Sequence, residues 1–349
     1  MAKFSIQDVQ ITGIAACIPP TVIRNSDSQI FENEIERDKV IQLIGIDERR
    51  FTDDATTASD LCVKAANKLI EELKIDKNSI DVLIYLSQTS DYITPATSPS
   101  LQHRLGLSID TMCFDINLAC SGYVYALSTA FAYAAIPSIR SVLLLNGETF
   151  SKIVSPLDKV NFPLYGDAGT ATLIEKKSGC KAFFELYSDG SGKESVFIPA
   201  GGTRNRTTPQ SIQSSEREDN NFRNDHQIYM NGLDVFNFAI SRVPTSIKSI
   251  LNTTAMSIDD ISYVYFHQAN KFMTDFIAKK IKIPLTKVPY SLDKYGNTSS
   301  CSIPLTIVSE KSITPDLSTS LLIGFGGGLS WGTAIVDLSD CHIINIIEY

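Results

Sequence analysis

Hydrophobic and polar positions along the chain alternate between two periods, and the changes of period divide it into strands and helices. Gln7 to Ile18 alternates closely enough to predict a first strand, stopped by Pro19 and Pro20. A helical pattern runs from about Ile35 to Ile44, and Gly45 is placed as a C-cap. Ser59 to Leu73 sets Leu61, Ala65, Leu69 and Leu73 on one face, which predicts an amphipathic helix. Ile80 to Leu86 is continuously apolar, as in a strand covered on both faces of a mostly parallel sheet. A Ser-, Thr- and Pro-rich loop from Ser87 to Pro99 then leads to a helix over Ser100–Leu105.

The stretch from Met112 to Ala135 organises the rest. Met112 to Asn117 predicts a short buried strand. From Gly122 onward the run has no charge, which predicts a helix buried on every side. Leu118-Ala119-Cys120-Ser121 leaves room only for a tight strand-to-helix turn. A cysteine there meets the unpaired N–H groups and the dipole of a helix start, which favour a thiolate. An ordinary buried thiol is the alternative reading.

Ser141 to Asn146 is another buried strand, followed by a loop from Gly147 to Tyr165 and a glycine turn, YGDAGTATLI, entering a strand. Residues 201–227 are polar and charged without periodicity, so they form a surface excursion. Order resumes at Ile228, and Leu233 to Leu251 predicts a helix. The second half then echoes the first: KIDKNSIDVLIYL resembles AMSIDDISYVYFH, and LLIGFGGGLSWGTAIV loosely follows LLLNGETF plus GDAGTATLI. A duplicated βαβ fold follows, with halves at residues 1–178 and 179–349.

A length of 349 residues with 43% hydrophobic residues suffices for two real cores. The net charge of −8 argues against nucleic acid as a partner. Seven cysteines without CxxC or Cys/His spacing argue against a disulfide framework or a metal site. The N-terminal MAKFSIQDVQ lacks a signal-like apolar core and no apolar run reaches spanning length, so a cytoplasmic protein without a membrane span is expected.

Four histidines keep the search for chemistry small. His103 lies in a polar helical segment, His226 in the excursion and His342 in the tail, all read as solvated. His267 differs, standing at the carboxyl end of the strand Tyr263–Phe266, where α/β sheets bind ligands. Asn297 sits in YGNTSSCSIPL before a helix start. Gly326-Gly327-Gly328 gives a strand little stability, which implies a close backbone approach to a ligand or another strand.

DINLACSG, FHQANKF, YGNTSSCSIPL and GFGGGLSWG, in this order, resemble the signature stretches of β-ketoacyl-acyl-carrier-protein synthase III, a thiolase-fold condensing family. IGIDERRF, YGDAGTATLI and IYMNGLDVF extend the resemblance over nearly the whole chain. It implies a duplicated five-layered αβαβα fold, usually homodimeric, and a catalytic Cys120, His267 and Asn297. It also implies an oxyanion hole from the N–H groups of Cys120 and Gly327. Cys120 would take an acyl group from a thioester. His267 and Asn297 would hold the enolate oxygen as a malonyl thioester loses CO₂, and the carbanion would attack acyl-Cys120 to give a 3-oxoacyl thioester. No resident cofactor is implied; coenzyme A and acyl-carrier-protein thioesters are substrates.

The sequence departs from the family at the donor end. Lys39 and Leu43 stand where housekeeping members place a Trp and an Arg on the adenine of coenzyme A. Phe272 and Lys159 replace two further arginines, while Lys271, beside Phe272, and Lys279 and Lys280 are expected to bind the carrier protein. Thr94 stands where short-primer members cap the acyl pocket with a Phe from the neighbouring subunit, which implies a roomier pocket. A specialised, non-housekeeping member is expected, with a medium or functionalised acyl donor delivered on a carrier protein. Two other readings share these residues: transfer of the acyl group from Cys120 to an alcohol or amine, and a non-catalytic subunit of a condensing complex. The last is disfavoured because nucleophile, His and Asn are all present.

Overall fold

A computed structural model describes residues 2–314 and 316–349. Among these, ten strands share one sheet: β1 (Ala2–Ile18), β2 (Ile80–Leu86), β3 (Met112–Ile116), β4 (Ser141–Thr149), β5 (Asp167–Ser188), β6 (Tyr263–Phe266), β7 (Ser320–Gly326), β8 (Ser330–Val336), β9 (His342–Ile343) and β10 (Ile347–Glu348). The principal helices are α1 (Glu34–Ile44), α2 (Ala58–Leu73), α3 (Ser98–Leu105), α4 (Gly122–Ala134), α5 (Gly232–Thr254), α6 (Lys271–Lys280) and α7 (Ser302–Ser309).

The sequence echo is a structural one. In the first half β2 runs parallel to β4, and β4 antiparallel to β5. In the second half β6 runs parallel to β7, and β7 antiparallel to β8. The matching strands β2 and β6 both follow a 3₁₀ turn, Lys77–Ser79 and Ile258–Asp260. β1 and β5 are long enough to serve both halves: β5 pairs with β4 through Asp167–Glu175 and with β8 through Phe183–Ser188. Residues 178 and 179 therefore lie inside one continuous strand.

The layers follow from packing. α2 and α3 cover the first half, and α5 and α6 the second. α4 and α7 lie between them, each touching strands of both halves. This central layer explains the uncharged sequence of α4, whose Tyr123, Val124, Leu127 and Phe131 are wholly enclosed; within α4 only Ala132 is exposed.

Several elements differ from the sequence reading. β1 begins at Ala2, because its first residues pair with the second stretch of β5. β3 is not buried: it is the outer strand of the sheet, paired on one side by β2, with Met112 40% exposed. β4 runs on past Asn146 through Gly147 and Glu148 to Thr149, where a loop was expected, because Asn146, Glu148 and Thr149 are buried with partners. A Cβ at Gly147 would come within 2.7 Å of both the Ala58 carbonyl and Cys62 Sγ, so glycine there lets α2 lie on the strand. The excursion at 201–227 is exposed for most of its length, yet it carries a short hairpin of Ser215–Glu216 with Phe222–Arg223. Arg223 there is nearly enclosed, facing Asp158 and Asp219 and lying 4.8 Å from the Tyr229 ring centroid.

Candidate active site

Cys120 sits in the turn between β3 and α4, one residue before the helix N-cap Ser121. The turn closes with the Gly122 N–H donating to the Ala119 carbonyl at 2.7 Å. The hairpin between β7 and β8 presses on it from the other half. Ser121 Oγ and Ser330 Oγ lie 2.6 Å apart, and Ser330 Oγ donates to the Gly327 carbonyl at 3.0 Å. A Cβ at Gly324 would lie 2.9 Å from Ser121 Cα. Gly324, outside the triple glycine, thus meets another backbone, while Gly326 within it meets the Cys120 side chain.

His267 follows β6 and is 1% exposed. Its N–H donates to the Ile323 carbonyl at 2.7 Å, and its ring stands edge-on to Phe325 at 5.5 Å. Elsewhere in the FHQANKF stretch Gln268 Nε2 donates to the Phe266 carbonyl, and Asn270, which also lines the cavity, caps α6 by accepting from the Met273 N–H. Asn297 is held by its N–H to the Leu164 carbonyl at 2.8 Å and by Oδ1 accepting from the Ser299 N–H at 2.9 Å. Its Oδ1 is engaged, while Nδ2 makes no hydrogen bond among the described residues. Cys120, His267, Asn297 and Gly327 line one narrow cavity of about 70 Å³, closed by Leu164, Tyr165, Val235 and Phe325.

Electrostatics correct one expectation. Burial pushes the Cys120 thiol up to about 12, outweighing the help of the helix start and of Ser299 Oγ, 3.7 Å from Sγ. Cys120 therefore rests as a thiol, and any attack by its sulfur needs an acceptor for the proton. Burial pushes His267 down to about 3, with the Ser299 carbonyl acting in the opposite direction. A neutral imidazole therefore faces a neutral thiol.

A second cluster lies behind the cavity, unread from the sequence. Glu148 is wholly enclosed and accepts from Ser300 Oγ at 2.8 Å, Thr89 Oγ1 at 3.0 Å and the Gln88 N–H at 3.2 Å. Asn146 Nδ2 donates to the Ser300 carbonyl at 2.7 Å. Burial raises the Glu148 carboxyl to about 7, against these donors. The cluster pins Ser300, neighbour of the Ser299 that touches Cys120 and His267. Sequence alone gave no signal, because an acid at the end of an apolar strand looks like the start of a loop.

The donor-side residues lie apart from the cavity. Lys39, Leu43, Lys271 and Phe272 share a surface cleft of about 380 Å³ between α1 and α6. Lys271 pairs with Asp275 at 2.7 Å and lies 5.1 Å from the Tyr290 ring centroid. Lys159 faces Glu32 at 3.4 Å and Glu36 at 3.9 Å. Lys279 and Lys280 are exposed at the end of α6, where Lys280 Nζ donates to the Ile240 carbonyl. Thr94 is exposed and outside the cavity lining of its own chain. His103 and His342 are exposed as read; His226 is half-buried, with Nε2 3.1 Å from Ser211 Oγ. Among the described residues no cluster of His, Cys, Asp and Glu could hold a metal, and no helix is long and apolar enough to cross a membrane.

Known proteins match this arrangement along the chain. The family described as 3-oxoacyl-[acyl-carrier-protein (ACP)] synthase III matches residues 114–190, and its C-terminal counterpart matches residues 251–338. A putative 3-oxoacyl-[acyl-carrier-protein] synthase 3 of Campylobacter jejuni is 37% identical over 99% of both chains. A β-ketoacyl-[acyl-carrier-protein] synthase III of Rhodopirellula baltica is 32% identical over 95% of this chain and 99% of its own. The crystal structure of a 3-oxoacyl-(acyl-carrier protein) synthase from Burkholderia xenovorans superposes with a TM-score of 0.92 at 35% identity, covering 99% of both chains.

Proposed function

The chain belongs to the 3-oxoacyl-[acyl-carrier-protein] synthase III family of condensing acyltransferases, and we propose that Cys120, His267 and Asn297 carry its reaction. The observation behind this assignment is that three residues from separate signature stretches, joined by Gly327, line one small, mostly apolar cavity.

In the first half-reaction Cys120 Sγ attacks the carbonyl carbon of an acyl thioester while His267 Nε2 takes the thiol proton. The N–H groups of Cys120 and Gly327 receive the oxyanion. The donor C–S bond breaks, and His267 returns the proton to the leaving thiolate. In the second, a malonyl thioester loses CO₂, and Asn297 Nδ2–H holds the enolate oxygen as charge develops. His267 joins as a donor only once Nε2 has taken a proton from solvent, and it passes that proton to the Cys120 sulfur as it leaves. The enolate carbon attacks acyl-Cys120, and the sulfur leaves to give the 3-oxoacyl thioester.

The donor is a medium or functionalised acyl group on an acyl-carrier protein. Support comes from Lys39, Leu43 and Phe272, which offer coenzyme A neither the indole nor the arginines of housekeeping members, and from the exposed Lys279 and Lys280. A homodimer is supported by the free outer edge of β3 and by Ile93, Ile109 and Met112, which are 96%, 94% and 40% exposed beside it. In such a dimer Thr94 would gate the partner's acyl pocket. Intact-protein mass spectrometry after incubation with acyl-CoA and acyl-carrier thioesters tests the reading; a protein that gains no acyl mass from any of them sinks it.

A further inference from the structure

His267 Nδ1 lies 3.1 Å from the Ser299 carbonyl oxygen and 2.8 Å from Ser302 Oγ. Ser302 Oγ itself lies 2.7 Å from the same carbonyl. Ser302 opens α7 and is 1% exposed, so no solvent competes for these contacts.

Only one placement of the hydrogens satisfies all three distances. A carbonyl oxygen accepts and never donates. With Nδ1 protonated, its N–H is shared by the Ser299 carbonyl and Ser302 Oγ, and the Ser302 hydroxyl donates onward to that carbonyl. With Nδ1 bare, the Ser302 hydroxyl could donate to only one of its two neighbours. The Nδ1 lone pair would then face the Ser299 oxygen without a hydrogen between them, inside a dry pocket. Which nitrogen of a histidine carries the proton is set by the bond the other one makes.

We propose that Ser302 is a positioning residue: the Ser299 carbonyl fixes His267 in the Nδ1–H tautomer, and the Ser302 hydroxyl, sharing that N–H, holds the ring with its Nε2 lone pair free as the base for Cys120. The proposal rests on the mechanism above for its consequence, though not for its geometry. The proton moves from Cys120 Sγ to Nε2 as the S–C bond forms, then to the departing thiolate, while the Nδ1 proton stays in place throughout. Both acceptors at Nδ1 are uncharged, so the imidazolium gains no ion pair to hold the proton, consistent with the low basicity of this ring. Ser299 adds its own Oγ beside Sγ, so one short turn touches both reacting partners.

The test is ¹⁵N NMR of the full chain labelled at histidine, where four side chains are to be distinguished and His267→Ala assigns the signal. Wild type should show a neutral Nδ1–H ring. Ser302→Ala should keep the Nδ1–H form, because the Ser299 carbonyl still accepts from it, but should move the Nδ1 resonance as the shared hydrogen bond is lost, and slow single-turnover acylation of Cys120 by ~10–100-fold, part of what a general base contributes. Ser302→Thr, which keeps the hydroxyl, should restore both. A wild-type Nε2–H ring overturns the proposal. So does a Ser302→Ala protein with an unmoved Nδ1 resonance, whatever its rate, since a lower rate would then reflect packing alone. The tautomer is read without substrate, so failure of the condensation reading and failure of this inference are separate outcomes.

Discussion

A Cβ added at Gly326 would come within 2.6 Å of Cys120 Cβ and 3.1 Å of Cys120 Sγ. Two residues 206 positions apart in sequence thus touch so closely that no larger side chain fits at the first. The contact joins the two halves at the nucleophile. Gly326→Ala should displace the Cys120 turn and lower acylation by at least tenfold while leaving the fold intact. Gly202→Ala is the control, since nothing lies within 4 Å of the added carbon. Equal acylation rates and melting temperatures in both variants would contradict this relationship.

Cys120→Ala should abolish covalent loading by every thioester tried, measured by intact mass. Cys62 and Cys301 are wholly enclosed and their thiols are pushed far up by burial. Residual adduct mapped to those residues or to Cys113 would show that the nucleophile is elsewhere.

Asn297→Ala should lower CO₂ release from a malonyl thioester by ~10²–10³, the usual effect of removing one donor from a developing oxyanion, with acylation less affected. His267→Ala should slow both half-reactions, because the ring serves the thiol proton as well. The pH dependence of acylation follows from the low basicity of His267, about 3: its base form is full above pH ~5, so the rate should be flat through pH 6–8. An inflection near pH 6.5 would point to an ordinary, solvated histidine.

Glu148 links stability to pH. Its carboxyl is raised from 4.5 to about 7 in the folded chain by burial. Below about pH 4.5 both folded and unfolded chains hold the proton, and this group's contribution to stability is full. As pH rises through about 7 the unfolded chain binds fewer protons than the folded one, so stability falls, then levels off. The loss is on the order of 3 kcal/mol. Glu148→Gln should flatten this slope and raise the melting temperature at pH 8 relative to wild type, with little difference at pH 4. A parallel pH profile in wild type and variant would place the proton elsewhere.

Donor choice can be read from Cys120 acylation rates. An Arg–phosphate contact is charge-assisted, and each loss costs roughly 1.5–3 kcal/mol where nothing replaces it. Medium-chain acyl-carrier donors should therefore outrun acetyl-CoA, and the double substitution Lys279→Glu with Lys280→Glu should slow the carrier-borne donor while sparing the CoA-borne one. A clear preference for acetyl-CoA defeats this expectation.

Much of this molecule is written locally. The limits of α1 and α2, the Gly45 cap, the turn holding Cys120 and the strand ahead of His267 all follow from periodicity and end signals within a few residues. The duplication was visible as a repeat of apolar strands after polar approaches. The proposed triad rests on resemblance, because Cys120, His267 and Asn297 stand in short, ordered motifs.

What local pattern could not decide was which polar residues are enclosed and which apolar ones are not. Glu148 looks like a loop residue, and Asn146 like the frayed end of a strand, until Ser300, from the other half of the chain, supplies their partners. β3 looks like core until the sheet order leaves its outer edge open. The state of Cys120 turned likewise on distance and burial: the helix start favours a thiolate, but partial burial between two halves that meet only on folding disfavours the charged form. Sequence determines residue chemistry and local geometry; desolvation and partner choice belong to the packed chain, because they depend on atoms hundreds of residues away.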